Sequence, residues 1–303
     1  MVYIYELSKE NLKLAKTEVL TLTKARNSKL KKNLLFTSAY KYPERLAYTK
    51  AVYKFLGTNI NKIKWQKYYK DSFCVRVQGA NERELAEKIW NKLKNPIVNL
   101  KNPKTQFNLL SKKYFGLLIY KNQDDYEKRK TKNRPESHPS SLHPKLAKAM
   151  INLTGAIKSS IILDPFCGSG GLLIEAGLMG MKIEGSDLDR NMVNRAKINL
   201  KHYKIKAKVE QKDALTITRK YKYVVTDLPY GKSTKVTNIK SLVKEFLDNI
   251  KANVIVLGLP DFIKLPKNKY KVESYFKHYL HKSLSKKIYL LKWNTSPKSN
   301  LTK

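Results

Sequence analysis

"SSIILDPFCGSGGLLIEAGLMG", residues 159–180, decides how the second half of this chain folds. The apolar run Ile161–Leu163 is too short for a helix, is rich in β-branched residues and stops at an acid, so it reads as a buried strand. Gly168 and Gly170 then permit a tight turn that brings backbone amides close to a ligand before a helix begins. The same rhythm recurs downstream. "KIEGSDLDR" (182–190) runs into "NMVNRAKINLKHY" (191–203), "AKVEQKDAL" (207–215) precedes "KYVVTDLPYG" (222–231), and "SLVKEFLDNIK" (241–251) precedes "NVIVLGLPD" (253–261). Strands alternating with helices predict an α/β fold built on a mostly parallel sheet. The closing stretch "KVESYFKHYLHKSLSKKIYLLKWN" (271–294) reads as two strands joined by a basic turn, which predicts an antiparallel edge.

Upstream the pattern differs. "VYIYEL" (2–7) reads as a strand, and "SKENLKLAKTEVLTLT" (8–23) as a helix opened by a serine cap. "KNLLFTSA" (32–39) reads as a strand, and "PERLAYTKAVYKFLG" (43–57) as a helix with proline at its start and glycine at its end. A strand in "DSFCVRVQG" (71–79), an amphipathic helix in "NERELAEKIWNKLKN" (81–95) and a strand in "YFGLLIYK" (114–121) complete an α+β first half. The polar, proline-punctuated "YKNQDDYEKRKTKNRPESHPSS" (120–141) separates the two regimes. The expected division is therefore residues 1–50, 51–120, a linker at 121–137, and 138–303.

The chain of 303 residues carries 62 Lys+Arg against 24 Asp+Glu, a formal net charge of +38. Each side of residue 137 holds 31 basic and 12 acidic residues, so the excess is spread over the whole length. Self-repulsion on this scale is costly unless a polyanion relieves it, which points to nucleic acid. Lys128, Arg129, Lys130 and Lys132 in the linker, with Lys282, Lys286 and Lys287 in the last turn, are candidates for phosphate contact. Their alternative is a solvated charge run. No run of 18 apolar residues occurs, so no membrane span is expected, and the first residues lack the pattern of a secretion signal. Cys74 and Cys167 stand far apart without metal-type spacing, and His278 and His281 read as surface or strand residues. These features predict a cytoplasmic protein with free thiols and no metal site.

In an open parallel sheet, ligands bind in the crevice beyond the carboxyl ends of the strands. Four strands here end in an acid, Asp164, Asp187, Asp213 and Asp227, out of twelve acids in the second half. Helix capping accounts for some such positions, but a gathered set of carboxylates also suits a cationic ligand. A nicotinamide dinucleotide site is disfavoured, because the third glycine of G-x-G-x-x-G is replaced by Leu173. Asp187 is placed to accept hydrogen bonds from ribose hydroxyls, and Asp213 to accept one from an adenine amine.

This order of glycines and acids resembles the class I S-adenosylmethionine-dependent methyltransferases. "DLPY" (227–230) looks like the Asp/Asn-Pro-Pro-Tyr motif of enzymes that methylate exocyclic base nitrogens, with Leu228 in place of the commoner proline. The chemistry explains those residue types. An amine conjugated with a ring is a poor nucleophile, and acceptors on its hydrogens, the Asp227 carboxylate and the Leu228 carbonyl, favour a pyramidal nitrogen. Pro229 fixes φ and offers no competing donor, while Tyr230 offers a face for a splayed base, worth about 1–3 kcal/mol.

Together "ESHPSSLHPKLAKAMINLTG" (136–155), "LDPFCGSGGLLIEAGLMG" (163–180) and "VVTDLPYGKST" (224–234) are similar to the archaeal tRNA guanine-10 N2-methyltransferases. "FCVRVQG", "ELAEKIWNKL" and "PIVNLKNPKTQFNLL" resemble a THUMP domain, an RNA-binding module, with a ferredoxin-like domain before it. The resemblance implies a methyl donor, S-adenosyl-L-methionine, held by His143, Asp164, Pro165, Phe166, Gly168, Ser169, Gly170, Asp187, Leu188, Asp213 and Ala214. It also places Ser141 and Leu142 near the methionine end, Asp227, Leu228, Pro229 and Tyr230 at the reacting amine, and tRNA as the partner of a chain read as a monomer. His143 has a second reading as a residue that caps the helix opened by Pro144. Two other functions stay open at this point: the same fold acting on rRNA or DNA, and a tRNA-binding protein that no longer reacts.

Overall fold

The computed structural model describes residues 1–77, 81–139, 141–228, 239–281 and 284–294. They form two compact units, Met1–Gln123 and Asp124–Lys303.

In the first unit the strands β1 (Tyr3–Leu7), β2 (Ser28–Lys31), β3 (Leu34–Thr37), β4 (Thr49–Gly57), β5 (Phe73–Val77), β6 (Thr105–Leu110) and β7 (Tyr114–Lys121) make one sheet. Their order is β2-β3-β1-β4-β7-β6-β5. Helices α1 (Leu12–Thr23) and α2 (Glu82–Trp90) are opened by Asn11 and Asn81, whose side chains accept from the free amides of the first turn. The helix expected over 43–57 is absent. Only Pro43–Arg45 turn as a 3-10 helix, and Thr49–Gly57 are a strand. The cause is tertiary. Thr49, Val52, Tyr53 and Phe55 supply β-branched and aromatic side chains, and the segment pairs with β1 on one side and β7 on the other. A division at residue 50 would run through this central strand, and the sheet continues across it.

The second unit sets α3 (Pro144–Leu153), α4 (Gly171–Leu178), α5 (Arg190–His202) and α6 (Ile239–Asn249) around a second sheet. Its strands are β8 (Ile161–Asp164), β9 (Lys182–Asp187), β10 (Ala207–Gln211), β11 (Lys220–Asp227), β12 (Lys251–Pro260), β13 (Tyr270–His281) and β14 (Leu284–Trp293), in the order β10-β9-β8-β11-β12-β14-β13. The pairs among β10, β9, β8, β11 and β12 are parallel. The expected terminal hairpin forms, and its first strand, β13, is the expected antiparallel edge. β14 inserts antiparallel between β12 and β13. Burial decides the placement, since Ile288, Leu290 and Leu291 are buried whereas Val272, Tyr275 and Tyr279 of β13 face solvent. The core between sheet and helices is built on Val224, Phe246, Leu247, Ile255 and Leu257, all fully buried.

The expected linker is part of this second unit. Arg129 donates to Glu175 on α4 at 2.8 Å and to Asp124 at 2.8 Å, and Asp124 also holds Lys148 of α3 at 2.6 Å. Asn199 of α5 donates to the carbonyls of Glu136 (2.9 Å) and Ser169 (3.0 Å), and Arg195 donates to that of Ser137 (3.0 Å). Arg129 is thus no free cation for a phosphate, while Lys128 and Lys130 pair with Asp125 and Glu127 on the surface. Burial pushes the Glu175 carboxyl up against the pull of Arg129. Arg129→Met leaves Glu175 buried without its partner and is expected to cost about 3–5 kcal/mol. Denaturant unfolding of Arg129→Met beside Arg129→Met/Glu175→Leu measures this, with much of the loss restored in the double variant.

Candidate active site

The parallel pairing of β8, β9, β10 and β11 brings the carboxyl ends of these strands to one rim of the sheet, where the structure has a cavity of about 750 Å³. Asp164, Asp187, Asp213 and Asp227 all line it. Asp164, Asp187 and Asp227 are the last residues of β8, β9 and β11, whereas Asp213 stands two residues beyond β10 and caps a 3-10 turn, Ala214–Thr216.

Backbone amides donate to three of these acids, Asp164, Asp187 and Asp213. One oxygen of Asp187 accepts from the Gly168 amide at 2.8 Å and the other from the Asp189 amide at 3.0 Å. This ties the glycine turn to the end of the neighbouring strand. Asp213 Oδ1 accepts from the Leu215 amide at 2.9 Å. Asp164 is buried, and its Oδ1 accepts from Thr226 Oγ1 at 2.7 Å and from the Phe166 amide at 3.3 Å. Burial raises its carboxyl to about 8, so it is largely protonated at neutral pH. Asp187 is raised by burial as well, against the backbone amides of Asp189 and Gly168.

Most of the anticipated residues meet in this cavity: Pro165, Phe166, Gly168 and Ser169 from the glycine turn, Leu188 after β9, Ala214 after Asp213, and Leu228 beside Asp227. Ser141 and Leu142 reach it from the segment before α3, with Ser141 Oγ 2.7 Å from Ser169 Oγ. Phe166 packs edge-on against Phe246, the ring centres 5.2 Å apart. The two glycines of the turn divide their work. Gly168 has φ +49° and open space where a side chain would begin, which leaves its backbone free to face a ligand. Gly170, at φ +88°, is not a wall residue: a Cβ there would press on Ala196 of α5, so its task is helix packing. His143 is also outside the wall. Its Nδ1 accepts from the Lys145 amide at 3.2 Å and caps α3. Pro229 and Tyr230 lie outside the described residues, as does Lys282.

Sequence reasoning missed several wall residues. Asn191 and Gln211 carry no motif, and only the return of their segments to the same rim places them there, whereas His138 belongs to the quoted stretch 136–155. Cys167 also lines the cavity, but burial pushes its thiol well up, which leaves it unreactive.

The residues fit S-adenosylmethionine. The volume lies within the usual range for small-ligand pockets, about 300–1,000 Å³. The open space over Gly168 is a cradle that a Cβ would fill, and the acids Asp164, Asp187 and Asp213 suit a ligand bearing a sulfonium and an ammonium. Fold and site together define a class I S-adenosylmethionine-dependent methyltransferase. The fold is similar to solved structures: the crystal structure of TrmN from Thermus thermophilus covers 97% of this chain at a TM-score of 0.51 and 16% identity. A possible methylase from Clostridium difficile 630 covers 98% at 0.51 and 15% identity. A model of the RMKL-like methyltransferase domain matches residues 131–257.

Sequence relatives are more specific. The tRNA (guanine(10)-N2)-dimethyltransferase of Methanothermobacter thermautotrophicus is 33% identical over 283 residues, 86% of this chain and 83% of that protein. The enzyme of the same name from Pyrococcus abyssi is 34% identical over 256 residues, 77% of each chain. The chain belongs to the tRNA (guanine(10)-N2)-dimethyltransferase family.

Two measurements test the cofactor cavity. Asp187→Ala is expected to weaken S-adenosylmethionine by about 10- to 100-fold, the range for a hydrogen bond to a charged group, with the melting temperature showing whether the fold is kept. Because Asp164 is protonated below about 8, a cation bound beside it favours the ionised form and expels a proton. Affinity for S-adenosylmethionine should therefore rise from pH 6 towards 8 and level above it. Calorimetry in buffers of different ionisation enthalpy reads the proton release, and Asp164→Asn should flatten the rise.

Proposed function

We propose that this protein transfers methyl groups from S-adenosylmethionine to the exocyclic N2 of guanosine at position 10 of tRNA, giving N2-methyl- and N2,N2-dimethylguanosine. The observation that carries the reading is Asp227. It ends β11 on the rim that the other three acids share, and its Oδ1 is buried with no hydrogen-bond partner among the described residues. A buried, unmatched acceptor at a cavity wall is costly unless a ligand donor meets it, and an amine carries two such donors.

When bound, S-adenosylmethionine supplies an electrophilic methyl group on its sulfonium. Asp227 and the Leu228 carbonyl are the acceptors for the amine hydrogens, drawing the nitrogen lone pair out of conjugation with the ring. The nitrogen that takes this methyl group would become cationic and give its proton to the Asp227 carboxylate. Leu228 is fully buried at the cavity wall, and its carbonyl is the proposed second acceptor. Tyr230 is the proposed stacking face. Asp164, Asp187 and Asp213 hold the cofactor, with Pro165, Phe166, Gly168, Ser169, Leu188 and Ala214 forming the walls around it.

The Met1–Gln123 unit is proposed to act as a THUMP-like RNA-binding module, a role consistent with the basic excess of the first half. Guanosine in a stem must leave its stack to reach the cavity, at a cost of a few kcal/mol that binding to the phosphates must offset. We propose a monomer that works in the cytoplasm. Among the described residues, no helix is long and apolar enough to cross a membrane.

The test is nucleoside mass spectrometry, with the modified position mapped, of unmodified tRNA, rRNA and DNA after each is incubated with the protein and labelled cofactor. N2-methylated guanosine at position 10 is the expected product, and label in rRNA or DNA bases alone would overturn the substrate assignment. Asp227→Asn should lose at least about a hundredfold in rate, as for removal of a general base, while cofactor affinity stays within about twofold. A fully active variant would remove Asp227 from the mechanism.

A further inference from the structure

Asp227 does not stand alone. Its Oδ2 is paired with Lys286, a lysine with no solvent exposure, from β14. The two strands are not neighbours. β12 lies between them, with Gly258 opposite Asp227 and Pro260 opposite Lys286. Strands one apart are about 4.8 Å distant, so β11 and β14 stand roughly 10 Å apart, a gap that only a long side chain can cross. What opens the path is Gly258. A Cβ at that position would collide with Asp227 Oδ1, so the carboxylate lies over the middle strand because that strand has no side chain there.

We infer that Lys286 and Gly258 are positioning residues for Asp227: the glycine makes room for the carboxylate and the lysine binds one oxygen, holding the group ionised with the other oxygen left for the substrate amine. The inference rests on the function proposed for Asp227 and adds what makes that function workable. A buried carboxylate without a counter-charge takes up a proton, and a protonated acid can neither accept the amine's proton nor orient it as an acceptor. Among the described residues, the titratable groups facing Asp227 are Lys286 from β14 and Asp164 from β8, with β12 contributing Gly258. Asp164 keeps its proton at neutral pH and adds no charge, which leaves Lys286 as the group that favours ionisation. Burial raises Asp227 and lowers Lys286, each against the other's attraction. A lysine has good reason to avoid such a place, since the desolvation of an unpaired ammonium is prohibitive. It is retained where its partner needs it. The same burial removes Lys286 from any role in gripping phosphate.

The readout is the pH dependence of kcat on tRNA at saturating cofactor. In Lys286→Met the acidic limb should move at least one unit to higher pH, so that the rate falls at least tenfold at neutral pH and recovers in alkaline buffer. Cofactor Kd should stay within twofold. An acidic limb that overlies the wild-type curve would overturn the inference, whether the rate falls or not, because a merely structural loss lowers the curve without moving it. Should Lys286→Met fail to fold, Gly258→Ala decides. It displaces the carboxylate and is expected to lower kcat at least tenfold with cofactor Kd unchanged, and full activity would refute the arrangement. The wild-type product separates the two levels. A methylated base other than guanosine defeats the substrate assignment, while the displaced limb, read on that base, still tests Lys286.

Discussion

Parallel pairing of four strands is the constraint on which the rest of the second unit depends. In a parallel sheet every strand points the same way, so the residue that ends each strand arrives at a common rim. Asp164, Asp187 and Asp227 share that rim for this reason alone, and Asp213 joins them by capping the turn just beyond β10. Nothing local to any one acid would gather them. Mutual repulsion and burial oppose the arrangement, and backbone amides of the loops offset it by donating to Asp164, Asp187 and Asp213. The site is thus a balance between sheet geometry, which crowds the acids, and loop amides, which make the crowding tolerable.

The two kinds of acid differ in how they are satisfied. Asp187 and Asp213 are held by neutral backbone donors, the amides of Gly168 and Asp189 for the first and of Leu215 for the second. Asp227 is held by a charge from a strand 59 positions later. The first kind suits binding, where a fixed acceptor is enough. The second suits a group that must stay ionised in a dry place while it exchanges a proton. Asp164, buried between them with a threonine hydroxyl as its partner, keeps its proton at neutral pH and so avoids adding a further negative charge beside Asp227.

Much of this was legible in the sequence because strand–helix alternation and strand-end acids are local patterns. The turn after Ile161–Leu163, the acid order and the terminal hairpin needed only spacing. What was not legible depended on partners far along the chain. Residues 43–57 present Pro43 and Gly57 where a helix would begin and end, yet β1 and β7 claim Thr49–Gly57 as a strand. Arg129 reads as one cation in a basic run, and only the return of α4 shows it seated on Glu175. Lys286 reads as a surface residue of a basic turn, since no short-range signal tells a buried lysine from an exposed one. Gly170 and His143 look like ligand groups by motif but work as a packing position and a helix cap, tasks the motif satisfies equally well.

The insertion of β14 between β12 and β13 has a consequence for biosynthesis. During translation β8 to β12 leave the ribosome well before Leu284–Trp293, so a half-made sheet can assemble with Asp227 present and its ammonium partner still unsynthesised. The nascent chain would then carry a cofactor cradle without a competent base. On the proposed mechanism, the base is completed only when β14 has been made and pairs with β12, which ties its competence to a strand synthesised after the rest of the rim.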